Sequence, residues 1–491
     1  MRTRQFCGAI VLGLLAILFA RENAHAKSPR AADAKISRSM ALAGQVSSQE
    51  EGPMEGVLVS AKKEGSTITT TVVSDAKGRY GFPSNRLEPG RYALHVRAVG
   101  YDLTDPGPVE IASPKTTQVD LKLVKTKDLA HELSNTEWFM SWPGTEKQKN
   151  AFTECISCHT AERIARSKYT ADDFEKVIGR MRGWASGSTP PNPIKRTHLR
   201  PGAGPKAEDR EYLASINLSK VSNWEYPLQT LPRPKGRATR VIMTEYDLPR
   251  PFSSPHDAVA APNGMVWYCD FGYQYIGMLD PKTGKVVEYP VPVTKPGWDN
   301  GMNNLEIDKQ GNIWVALFYQ PGMGKFDPKT EKWQTWSLPS EITNDYTRTV
   351  FFAPLNLTAD NKAWLGGGMD KSFRVDLASN KWEVMAESKD LSPDSPILKR
   401  PHGIYGIQSD SKNNLYELDM LSEYIVKVDA KTQKATYYQT PTMGSGPAPR
   451  PRRLQRPAMV RRALRQQDRN VRSEYRAVQR MARADALQQS L

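Results

Sequence analysis

Between residues 41 and 124, apolar and polar positions alternate in short runs. β-Branched stretches such as Thr67–Val73 and Tyr92–Ala98 are bounded by Gly, Pro, Asp and Asn. Period-two patterning between turn residues predicts an antiparallel β-sandwich. Asp75-Ala-Lys-Gly-Arg-Tyr80 predicts a hairpin turn running into a strand, and Pro89-Gly90 predicts another turn. His95 falls mid-strand and is expected to pack. From residue 128 the period lengthens. Thr160–Lys168 and Thr170–Trp184 predict helices. The second opens on a hydroxyl cap with Asp172 and Asp173 in its first turn, and Phe174, Val177, Ile178 and Met181 recur at helical spacing. Residues 185–207 are Gly/Pro-rich and predict a loop. Ala207–Ile216 predicts a last helix with Tyr212, Leu213 and Ile216 on one face. Residues 128–218 therefore read as a small all-α unit.

From about residue 240 the pattern repeats. Trp267, Trp314, Trp364 and Tyr416 each follow a polar turn and sit in a strand-like run. Each is followed by an apolar-Asp element, at Asp280, Asp327, Asp376 and Asp429, with intervals of 47, 49 and 53 residues. A Lys-Thr or Ser-Asn turn and a further aromatic strand come next: Val286–Tyr289, Trp333–Trp336, Trp382 and Ala435–Tyr438. Four strands per repeat of about 50 residues is the pattern of a β-propeller blade. The predicted fold class is thus multidomain and mainly β: a β-sandwich, a small all-α domain and an incomplete β-propeller over 240–445.

Two segments resemble known families. Gly44-Gln-Val46, Gly56-Val-Leu-Val59, Asp75-x-x-Gly78-Arg-Tyr80, Leu87-x-Pro89-Gly90-x-Tyr92 and Ala98-Val-Gly-Tyr101 resemble the carboxypeptidase-regulatory-like domain, a transthyretin-like sandwich. That resemblance implies a non-catalytic accessory domain over 41–124, one that binds a partner or a glycan. The 240–445 repeats resemble the streptogramin (virginiamycin B) lyases, which are seven-bladed propellers. The lyases act with His and Glu from later blades and a divalent metal, so no lyase catalytic residue carries over to this chain.

Charge changes the picture little. The formal net charge is +15, but residues 450–491 alone carry 12 Arg against Asp468, Glu474 and Asp485. The body of the chain is near neutral, which argues against a nucleic-acid partner. Arg2 and Arg4 precede an apolar run, Phe6–Ala20, and Ala24-His25-Ala26 has the small-x-small form of a cleavage site. Residues 1–26 therefore predict a secretory signal, with an uncleaved anchor as the alternative, and residues 27–40 a linker. Cys7 lies too early for a lipoprotein cysteine. No other stretch is apolar enough to span a bilayer, and the signal makes the periplasm or the cell exterior the expected location. The Arg-rich segment 446–491 begins where a fifth blade is due. One reading is a basic tail that meets anionic surfaces. The other is a frame change: suitable codons for Ala448–Met481, read one base on, restore a polar turn, a Trp strand, a Gly-Met-Phe-Asp-Pro turn and an aromatic strand in blade order. On that reading the tail is out of frame and the propeller is cut short.

The sharpest chemical signal is Cys155-Ile-Ser-Cys158-His159. Two thiols add across the two haem vinyl groups, and a two-residue gap on a nascent helix separates the sulfurs suitably. The next residue, His159, then lies under the ring as the proximal iron ligand. The alternatives are a redox dithiol, which lacks a βαβ context, and half a zinc site, which lacks a second ligand pair. The expected cofactor is haem c, and the surrounding helices resemble a small class-I-like cytochrome c. Met181 is the first candidate for the distal ligand, with core packing as its other reading. His198 is the second, followed by Met140 and His131. Cys269 reads as a buried, inert thiol.

In the propeller, His256 in Ser254-Pro-His-Asp257 and His402 in Arg400-Pro-His-Gly403 read as matching positions, with Asn300–Asn304 equivalent in the second repeat. These residues bind a metal or polar substrate, or they simply tie neighbouring blades together. The expected function is periplasmic electron transfer by one c-type haem, with a periplasmic redox partner and the propeller as a module for a small molecule or carbohydrate. Two alternatives remain. One is a haem-linked dehydrogenase or lyase-like enzyme with its active site in the propeller. The other is a cell-surface or carbohydrate-binding protein.

Overall fold

A computed structural model of the chain describes residues 39–441 apart from 113, 158, 185–187, 189–194, 196–205, 252, 345–346, 350, 354–359, 368–370, 387–402 and 420. Residues 1–26, which the sequence reads as a signal, most of residues 27–40, residues 446–491, Cys158, His198 and His402 lie outside the described residues. The described chain is mainly β, with six α-helices and several sheets. None of those helices is long and apolar enough to cross a membrane.

Residues 40–125 form two sheets around one core. In the first, Met40–Ser48 pairs antiparallel with Arg79–Pro83 and parallel with Leu121–Lys125, so this sheet is mixed rather than purely antiparallel. The second runs through Ile68–Val73, Leu58–Lys63, Gly90–Arg97 and Val109–Ile111. Alternate residues of both sheets, among them Leu42, Val46, Val59, Ala61, Phe82, Tyr92 and Leu94, meet in the buried core. The same alternation turns His95 outward. It is exposed and lines an open groove of about 590 Å³ with Arg97, Tyr101, Asp102 and Asp105, so it is not the packing residue expected.

One strand departs from the expected domain limits. Ile242–Tyr246 falls in the range read as propeller, yet it pairs antiparallel with Ile68–Val73 and forms the edge of the second sandwich sheet. The joint continues beyond it. Asp247 N–H donates to the Thr67 carbonyl, and the Thr67 hydroxyl donates to the Gly284 carbonyl at 2.9 Å. Gly284 has φ +71°, and a Cβ there would strike Thr67 and Ile68. Gly284→Val is therefore expected to cost about 3 kcal/mol, from left-handed backbone and overpacking together. Urea unfolding measures it, and a change under 1 kcal/mol would show that this joint is loose.

Four antiparallel sheets of four strands follow in chain order. The first contains Pro255–Ala260, Val266–Asp270, Tyr275–Leu279 and Val286–Pro290. The second contains Met302–Ile307, Ile313–Leu317, Gly322–Asp327 and Lys332–Ser337. The third contains Phe351–Ala353, Lys362–Gly366, Lys371–Asp376 and Trp382–Ala386. The fourth contains Ile404–Ser409, Leu415–Asp419, Tyr424–Val428 and Ala435–Gln439. They pack face to face like propeller blades, through cores centred on Trp267 and Phe326, on Trp314 and Phe352, and on Trp364 and Val426. The recurring aspartates are turn anchors. Asp280, Asp327, Asp376 and Asp429 each accept from a backbone N–H two residues on. The fourth residue after each, Gly284, Glu331, Asn380 or Gln433, takes positive φ. This Asx-type turn is why the motif recurs once per blade. The repeat aromatics face the next blade. Trp267, Trp314 and Trp364 are buried, whereas Tyr416 is half-exposed, with no further blade beyond it among the described residues.

Candidate functional site

Six helices build the segment that carries the cysteine motif: α1 (Leu129–Glu132), α2 (Asn135–Ser141), α3 (Glu146–Asn150), α4 (Glu162–Ala165), α5 (Ala171–Met181) and α6 (Ala207–Ile216). The α6 limits match the sequence expectation. The first predicted helix shortens to α4, and three helices before the motif were missed. Their signal was present. Ser134 and Glu137 form a capping box on α2, and Thr145 and Gln148 form one on α3. Thr170 and Asp173 form a third, as the first turn of α5 suggested. The core joins Trp138, Trp142, Phe152, Ile164, Phe174, Tyr212 and Ile216, with Cys155 and Ile156 packed against it. Phe152 stacks on Tyr212 with ring centres 5.8 Å apart. Burial pushes the Tyr212 phenol up to about 12, and its hydroxyl donates to the Pro143 carbonyl.

The motif lies on a short 3-10 helix, Thr153–Ser157, and Cys155 N–H donates to the Phe152 carbonyl. Cys155 is half-buried. His159 is also half-buried, and its Nδ1 lies 3.1 Å from the Thr160 carbonyl oxygen. A carbonyl only accepts, so Nδ1 carries the proton and Nε2 keeps its lone pair for a metal. Ala161 N–H donates to Asn135 Oδ1 at 2.8 Å, which fixes the chain after His159 to the start of α2. Two indole nitrogens in this core, Trp138 Nε1 and Trp142 Nε1, are buried without a hydrogen-bond partner. A buried donor left unmade costs about 1–3 kcal/mol. Cys155 and the Nε2 lone pair of His159 are donors of the types that a c-type haem takes.

The distal candidates are placed unevenly. Met181 is the last residue of α5 and is 38% exposed, so it does not complete the packed face around Phe174. Met140 is half-buried on α2. His131 is exposed, with Nδ1 3.2 Å from Glu162. Among the described residues, no three His, Cys, Asp or Glu side chains come together to hold a metal ion.

The propeller histidines prove to be out of register. Pro255 pairs with Asp270, and Ile404 pairs with Asp419. Ser254 N–H and Gly403 N–H donate to those same two aspartates. Gly403 therefore matches Ser254, and the counterpart of His256 is Tyr405 rather than His402. Asp257, not His256, makes the link between blades: its Oδ2 accepts from Asn304 Nδ2 at 2.9 Å. Cys269 is fully buried, and burial pushes its thiol far up, in keeping with an inert role.

Residues 41–124 match the carboxypeptidase regulatory-like domain family. No curated protein matches the chain. Among solved structures the chain is similar to virginiamycin B lyase from Staphylococcus aureus, with 21% identity over 43% of this chain and 63% of that one and a TM-score of 0.33. A streptogramin B lyase structure matches at 20% identity over 42% and 61%, TM-score 0.33. The extracellular domain of a hybrid two-component system from B. thetaiotaomicron matches at 16% over 38% and 24%, TM-score 0.28. The chain spans less than two thirds of the length of these lyases.

Proposed function

We propose that this protein is an exported c-type monohaem electron-transfer protein whose propeller is a binding module. The observation that carries the reading is His159 in Cys155-x-x-Cys158-His159, with Nδ1 tied to the Thr160 carbonyl and Nε2 left to ligate iron. Cys155 and Cys158 would hold haem c through thioethers, and His159 would be the proximal ligand. A haem bound there supplies one-electron transfer. Core aromatics around Cys155 would exclude water from the ring. Met181, exposed at the end of α5, is the proposed distal ligand, with His198 as the other candidate. The redox partner would be another periplasmic protein, and the propeller would take a small molecule or carbohydrate.

Potentiometric titration after expression with c-type maturation factors tests this reading. A single one-electron couple is expected. Met181→Ala should remove the near-infrared sulfur-to-iron band of the oxidised protein and lower the potential. If the wild-type protein lacks that band, Met181 is not the ligand. If it has no redox couple at all, the electron-transfer reading fails.

A further inference from the structure

The inner strands of the first, second and fourth blades each carry an irregularity near their start. Pairing shifts between Pro255 and Ala258, between Met302 and Asn304, and between Ile404 and Gly406. Counting back from the regular pairs places His256, Asn303 and Tyr405 at the equivalent extra positions. A bulge frees one side chain from the alternation of its strand, and proteins use bulges to re-aim side chains at sites.

We propose that the bulges of the first two blades form a binding site for a neutral hydroxyl-bearing ligand, an alcohol or a sugar. The proposal rests on the reading of the propeller as a binding module. Hydrogen-bond accounting defines the ligand chemistry. Asp257 Oδ1 lies 3.1 Å from His256 Nδ1, and Asp257 Oδ2 accepts from Asn304 Nδ2. Asn304 Oδ1 in turn accepts from Phe352 N–H at 3.2 Å. Asp257 and Asn304 are therefore committed to joining three blades. An ionised carboxylate accepts only, so His256 Nδ1 carries the proton and Nε2 is an acceptor. Asn303 is only 3% exposed, and its Oδ1 has no hydrogen-bond partner. A buried acceptor without a donor costs free energy that a ligand O–H can recover. Both groups the site offers thus ask the ligand for a proton to share.

The walls agree with that choice. The His256 ring lies 5.5 Å from Phe271, which packs on Phe318 at 5.2 Å and on Tyr319 at 5.9 Å. Aromatic faces suit the C–H surface of a sugar or alcohol. An ammonium ligand would also donate, but the Arg348 guanidinium lies 5.2 Å from the Tyr319 ring and opposes a second cation there.

Saturation-transfer NMR on the full-length, haem-loaded protein tests the site, with ethanol, glycerol, glucose and methylammonium as probes. Transfer to at least one neutral probe is expected. His256→Ala and Asn303→Leu should each weaken its binding about 3–10-fold, the worth of one hydrogen bond. His256 is half-exposed and meets the Asp257–Asn304 link only at Asp257 Oδ1, which water can reach in its place, so its variant should stay close to the wild-type melting temperature even if Asn303→Leu loses stability. Absence of transfer to every neutral probe, transfer to methylammonium alone, or unchanged binding in a folded His256→Ala protein would overturn the proposal. Haem content is read on the same samples, so loss of the haem reading and loss of this site are separate results.

Discussion

A protein with Cys155→Ala and Cys158→Ala, expressed with c-type maturation factors, should carry no haem through acid–acetone extraction or a denaturing gel, whereas the wild-type protein keeps its haem through both. The expected difference is all or nothing. A thioether survives denaturation, while axial ligation by His159 alone depends on the fold. The single substitutions refine the result. Cys155 packs against the core with Phe152 and Ile156, so Cys155→Ala removes both a bond and a packed side chain. His159→Ala should leave covalent haem with an altered spectrum, because the thiols and not the imidazole make the permanent bonds. Haem stain that persists in the double variant would mean that the motif is not the attachment site. Absence of stain from the wild-type protein would remove the cofactor altogether.

The propeller pattern was legible because its signals are local. An Asp that caps its own turn and an aromatic two strands before it need only neighbouring residues, so Asp280, Asp327, Asp376 and Asp429 mark each blade without reference to the rest of the chain. The edge strand Ile242–Tyr246 was not legible, because its partner Ile68–Val73 lies far away in sequence and nothing local to either names the other. The match of His256 with His402 failed for a related reason. Both stand in a Pro-His pair at the entry to a blade, but register is set by cross-strand partners, and Asp270 and Asp419 reveal the offset. The haem motif itself is pure sequence. What sequence could not supply is the role of its surroundings: the Thr160 carbonyl on His159 Nδ1, and the two orphan indoles.

Glu137 was also missed, and its substitution should be among the most damaging to the described fold. Its side chain is 2% exposed, and it ties the cap of its own helix to two other parts of the chain. Oε2 accepts from Ser134 N–H and from the Ser134 hydroxyl, which caps α2. Oε1 accepts from Leu231 N–H, in the segment that leads on to the propeller. The Arg97 guanidinium of the sandwich lies 3.9 Å away. Glu137→Ala strands two backbone donors, for an expected loss of about 3 kcal/mol in urea unfolding, while the exposed Arg97 returns to water. Glu137→Gln keeps the shape but brings an amide N–H where two donors already converge, so it should cost less, about 1–2 kcal/mol. The pH dependence separates charge from shape. Burial raises the Glu137 pKa, but the Ser134 and Leu231 hydrogen bonds and Arg97 outweigh it, so the carboxyl sits below its usual range. A lowered carboxylate pKa contributes stability that is fully present above the ordinary value of about 4.3 and is lost as pH falls through the lowered pKa. The gap between the wild-type protein and Glu137→Gln should therefore be constant from pH 7 to 5 and shrink below about pH 4. A gap that stays constant down to pH 3 would mean that Glu137 acts through its shape alone and that its charge contributes nothing to joining the sandwich, the helices and the propeller.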